Sequence, residues 1–140
     1  MTRIFVSIGG SIFLLLGTLH GLLTLKDLFE PKAFTPRDPA LREAMQQSSI
    51  GLDRSINLWN AWLGFNFTHS LGLMLFGGAF LYLGLFDPAA FKAHTLLQII
   101  GITVSATYLV LSIKFFFIKP TLGSAIGLGS FIVATILARI

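Results

Sequence analysis

The sequence predicts an all-α membrane protein: four transmembrane helices in an up-down bundle, with a short amphipathic surface helix in the first loop. Three observations predict it. Hydrophobic residues make up 54% of the 140 positions and charged residues 11%, with a mean hydropathy of +0.82, whereas an average soluble domain carries about 25% charged residues. Ten basic and six acidic side chains are too few to cover so small a body with polar groups. The apolar residues gather into four runs, at about 4–25, 58–86, 94–117 and 121–138, interrupted by one long polar segment, 26–53. Backbone groups in lipid must be satisfied within their own segment, so runs without period-two alternation are helices. The length allows one integral membrane domain, 1–140.

The first run carries no charge between Arg3 and Lys26. At about 1.5 Å per residue it reaches roughly 33 Å, enough for a hydrocarbon core of about 30 Å. Arg3 resembles the n-region of a signal peptide, but the run exceeds the usual h-region and no small-x-small site precedes Lys26. The helix is therefore expected to be retained.

In the polar segment, Pro31, Pro36 and Pro39 break the first half. Asp38-Pro39 predicts a helix start, with Asp38 as N-cap and proline in the first turn. Leu41, Met45 and Leu52 are expected on one face of that helix, lying on the membrane surface, with Gly51 separating it from the next. Arg54-Ser55-Ile56-Asn57 leads into the second span, which is longer than one crossing needs and must tilt or protrude. Asp87-Pro88 closes it, and a short loop with Lys92 follows. Lys119-Pro120 predicts a tight turn between the third and fourth spans, with Phe115-Phe116-Phe117 as a lipid-facing belt. Short loops make these neighbours antiparallel. Lys26, Lys32, Arg37, Arg42, Arg54, Lys114 and Lys119 fall on one side, against Arg3, Lys92 and Arg139 on the other. The larger set favours a cytoplasmic first loop, although Arg3 and the amino terminus argue the reverse.

Several functions are excluded. Without cysteine there is no disulfide exchange, iron–sulfur ligation or thiol catalysis. The basic residues stand singly at the ends of apolar runs, the placement that flanks membrane spans and not a nucleic-acid stripe. No span holds Asp or Glu, which speaks against a proton-coupled transporter. Nucleotide-binding and zinc-protease motifs are missing, so the sequence leans away from an enzyme.

Two sets of residues remain as candidates. Small residues four apart, Gly17/Gly21, Gly101/Ser105 and Gly123/Gly127, permit close helix approach. They serve either internal packing or association with other membrane subunits or a second copy. The second set surrounds two histidines. Counted from one membrane side, His20 and His69 lie within about 5–10 Å in depth. Trp59, Trp62, Asn66 and His69 share one face of the second helix, with Arg54 and Asn57 at its polar mouth. Three explanations stay open: a structural network of His20, Asn66 and His69, a quinone or lipid pocket, or one haem b with His20 and His69 as axial ligands. Two histidines are too few for a zinc site.

Gly17-Thr18-Leu19-His20 and Leu58-Trp59-Asn60-Ala61-Trp62-Leu63-Gly64-Phe65-Asn66-Phe67-Thr68-His69-Ser70-Leu71-Gly72 resemble a group of small four-span bacterial membrane proteins. The resemblance implies the number and order of spans and carries no activity. It does not extend to disulfide-forming four-span proteins, which need cysteine. The expectation is a structural or accessory subunit of a larger assembly in a bacterial inner membrane. The alternative is a ligand-binding or redox protein using His20 and His69.

Overall fold

A computed structural model describes residues 1–140. The chain is all-α: α1 (Thr2–Phe29), α2 (Pro39–Gln47), α3 (Leu58–Phe86), α4 (Pro88–Ala93), α5 (Thr95–Phe115) and α6 (Ile118–Leu137). Helices α1, α3, α5 and α6 are long and apolar enough to cross a membrane. They divide into two compact units, Met1–Leu16 with Leu73–Ile140, and Gly17–Gly72.

The first unit is a four-helix bundle built on aromatic packing. Phe13, Phe91 and Phe131 are fully buried, with Val6, Leu73, Phe80 and Ala134 around them. Phe131 meets Phe80 edge-on at 4.8 Å and Phe76 at 5.8 Å, and Phe13 meets Phe76 at 5.1 Å. Edge-to-face pairs add about 0.5–1.5 kcal/mol beyond area burial. Between helices in lipid such packing matters more than the hydrophobic effect, because hydrocarbon tails are as apolar as the core.

The backbones of α1 and α3 approach closely at two glycines. A Cβ on Gly10 would sit 2.8 Å from the Gly77 carbonyl oxygen and run into the Leu81 backbone nitrogen. A Cβ on Gly77 would sit 2.7 Å from the Gly10 carbonyl oxygen and run into that of Leu14. Only glycine fits either position.

Four details depart from the sequence expectation. Helix α2 has the expected Asp38 cap, whose side chain accepts from the Ala40 amide, but it ends at Gln47. Leu52 is 96% exposed and belongs to no helix face. A single antiparallel bridge, Ser49 to Asn57, ties the end of α2 to the start of α3. The loop after Asp87-Pro88 is itself a helical turn, α4: Asp87 caps it, accepting from the Ala90 amide, and proline fills its first turn. Its last carbonyls, of Phe91 and Lys92, accept from the buried Gln98 amide. Finally, Lys119 and Pro120 lie inside the first turn of α6, and Phe116 and Phe117 form the break. A first-turn proline forfeits no hydrogen bond, so the helix begins before it. Phe115, Phe116 and Phe117 are exposed.

Candidate functional site

The unit Gly17–Gly72 contains His20 and His69. His20 on α1 and Asn66 on α3 meet through His20 Nε2 and Asn66 Oδ1 at 2.9 Å. Asn66 Nδ2 donates to the Trp62 carbonyl at 2.7 Å. The amide nitrogen is thus spent as a donor, which leaves its oxygen to accept. His20 Nε2 must then carry the hydrogen and donate to Asn66 Oδ1. The ring centroids of His20 and His69 lie 5.1 Å apart, near edge-on, and His69 stacks loosely on Phe65. Ser70 is buried and donates to the Asn66 carbonyl. A Cβ on Gly21 would sit 3.4 Å from the Ser70 Cβ, so the two helices are in contact here.

The polar loop folds back onto this cluster. Asp27, in the last turn of α1, is 1% exposed. Its carboxylate accepts from the Lys32, Ala33 and Phe34 amides at 2.9, 2.8 and 2.6 Å, and from the Thr35 hydroxyl at 3.3 Å. Pulled in this way, Phe34 stacks on His20 at 4.3 Å, and its carbonyl accepts from Trp62 Nε1 at 2.9 Å. Asp27 and Phe34 were absent from the sequence candidates. The available signal was an acidic residue one turn before a proline-rich stretch.

The remaining candidates separate. Trp59 is buried beneath the Arg42 guanidinium, 5.3 Å from its ring centroid. Asn57 caps α3, accepting from the Asn60 amide. Arg54 is exposed in the turn before α3. The polar mouth drawn from the sequence is therefore not one pocket, because the α2–α3 turn uses Asn57 and leaves Arg54 outside.

A haem b between His20 and His69 does not fit these residues. Each imidazole would have to turn a bare nitrogen toward one iron across the width of a porphyrin. Instead His20 Nε2 is committed to Asn66, one His20 face is against Phe34, and the helices touch at Gly21 and Ser70. Asn66 Oδ1 and one Nδ2 hydrogen are already bonded within the chain.

The small residues are engaged within the chain. Gly101 lies against Phe131 and Phe80, Gly123 against Leu16, and Gly127 against Phe13. Ser105 is buried and donates to the Gly101 carbonyl, and Gly17 is buried. These contacts supply internal packing and leave the expected subunit interface without an argument from glycine.

A polar cavity of about 520 Å³ lies beside the cluster's loop, lined by Thr35, Arg37, Arg42, Glu43, Gln46 and three prolines. The Arg42 Nε atom is buried and meets no hydrogen-bond partner. The ion pairs of the chain, Lys26–Glu30 and Lys32–Glu30, involve neither arginine.

The fold and its four apolar helices define a multi-pass α-helical membrane protein. Comparison with protein-family models, with curated proteins and with solved structures finds no match for the chain.

Proposed function

We propose that this protein binds the headgroup of an aminophospholipid at the surface of the membrane it spans, a bacterial inner membrane, in the cavity between α2 and the preceding loop. One observation carries the reading: Arg42 lies on Trp59 with its Nε buried and unpaired, and the residue lines a cavity that also holds Arg37. A guanidinium held by an aromatic ring keeps its charge and offers parallel N–H donors suited to phosphate. Glu43 on the same wall would repel a bare anion. Two cations and one carboxylate instead match a headgroup that carries a phosphate and an amine. The amphipathic α2, with Leu41 and Met45 on one side, brings this wall to headgroup depth. Thr35, whose hydroxyl donates to the buried Asp27 carboxylate, ties one wall of the cavity to the end of α1.

The test is native mass spectrometry of the full-length protein titrated with phosphatidylethanolamine, phosphatidylglycerol and phosphatidylcholine. Arg42→Ala and Arg37→Gln should weaken phosphatidylethanolamine binding about tenfold each, the scale of one charge-assisted bond. Glu43→Gln should weaken phosphatidylethanolamine while leaving phosphatidylglycerol unchanged or stronger. Equal binding of all three lipids, unaffected by either arginine substitution, would defeat the proposal.

A further inference from the structure

At its other end, α1 carries a polar stripe that a span does not need. Arg3, Ser7 and Ser11 follow at four-residue spacing and share one helix face. With Ile4, Ile8 and Leu85 they line a mostly apolar groove of about 420 Å³. Arg3 is exposed and takes part in neither ion pair of the chain.

Ser7 is the unusual member. Its Oγ is buried and has no hydrogen-bond partner. The hydroxyls of Ser70, Ser105, Ser112 and Ser130 each donate to a carbonyl of their own helix. A hydroxyl in hydrocarbon without an acceptor is costly, and most such groups find one. Gly84 makes room for this one: a Cβ there would lie 2.7 Å from the Ser7 backbone nitrogen and collide with its hydroxyl.

We propose that this groove holds one glycerophospholipid. Its phosphate sits on Arg3, an ester carbonyl accepts from Ser7 Oγ, and one acyl chain runs along Ile4, Ile8 and Leu85. The residue order has the required depth sequence. Ser7 lies roughly 6 Å further along the helix axis than Arg3, and in a glycerophospholipid the ester carbonyl likewise lies inward of the phosphate. Arginine binds phosphate through its paired donors. A soluble anion would find no use for the apolar walls, and a hydrocarbon none for Arg3 and Ser7.

The experiment compares diester phosphatidylglycerol with its diether analogue, which lacks the ester carbonyls, by native mass spectrometry of the full-length protein. The wild type should bind the diester about fivefold more tightly, the factor for one net hydrogen bond. Ser7→Ala should remove that preference by weakening the diester alone. Arg3→Gln should weaken both lipids, and Ile8→Trp should block both by filling the groove from its exposed wall. The Arg42→Ala background should keep the ester preference, which separates this site from the cavity beside α2. Equal wild-type affinity for the two lipids would overturn the proposal. So would an equal loss of both in Ser7→Ala, or a dimer abolished by Ile8→Trp in place of bound lipid.

Discussion

Asp27→Asn tests how the loop over His20 is held. The Asp27 carboxylate accepts four hydrogen bonds, three from successive backbone amides. Asparagine can keep its oxygen toward the Lys32 and Ala33 amides, but its NH₂ then faces the Phe34 N–H, donor against donor. The bond lost is the shortest of the set, 2.6 Å. A hydrogen bond to a charged acceptor is worth about 1.5–3 kcal/mol, and the remaining two weaken when the charge goes. Undocking of the loop sets the ceiling, so a cost of roughly 2 kcal/mol is expected. That corresponds to about thirtyfold faster hydrogen exchange at the Phe34 amide, at tenfold per 1.4 kcal/mol. Both tryptophans of the chain, Trp59 and Trp62, lie in this unit. In a Trp59→Phe background the emission reports Trp62 alone, whose indole donates to the Phe34 carbonyl, and it should shift in parallel. Asp38→Asn is the control, since asparagine caps a helix as well as aspartate. Exchange at residues 32–34 within twofold of wild type in Asp27→Asn would refute the account.

Gly77→Ala should destabilise the protein by about 2 kcal/mol or more in detergent unfolding, because its methyl would meet the backbone of α1, which cannot move aside alone. Gly78→Ala, with nothing within 4 Å of its Cβ, should be neutral or stabilise by up to about 1 kcal/mol through helix propensity. Asp53, in the turn between α2 and α3, is held below the usual carboxylate range by the Ser55 amide and then by the Ser55 hydroxyl. Its contribution to that turn is complete above the ordinary carboxylate pKa and is lost as pH falls through the lowered value. Carbon-13 titration of Ser55→Ala should show the Asp53 midpoint moving up; an unchanged midpoint would mean the hydroxyl does nothing.

The spans were legible because composition alone decides them: a run without charge from 4 to 25 has no other stable place than lipid. Asp38-Pro39 was legible as a cap for a local reason, one side chain and one ring within a turn. The same two residue types at Asp87-Pro88 signal only a stop in the sequence, although they start α4. The difference lies in Phe91 and Gln98, whose burial and bonding hold a six-residue helix too short to persist alone. The meeting of His20 with Asn66 and His69 followed from depth and helix face. What covers them did not. The fold-back that brings Phe34 to His20 depends on the Asp27 carboxylate finding three amides beyond Pro31, and no periodicity encodes that closure. The Gly10–Gly77 contact was equally hidden, since spacing within one helix does not say which helix it faces.

That glycine contact has a thermodynamic consequence. The space a Cβ would take at either residue borders the other's carbonyl oxygen, and Cα–H···O contacts at such helix crossings add about 0.5–1 kcal/mol apiece. Neither glycine has a rotamer to immobilise when the helices meet, and within a preformed helix its backbone freedom is already gone. Joining α1 to α3 at this point therefore costs little entropy, and it requires nothing from α5 or α6. Because α1 and α3 emerge before α5 and α6 during synthesis, they can dock as a pair, giving the later hairpin a finished surface to close upon.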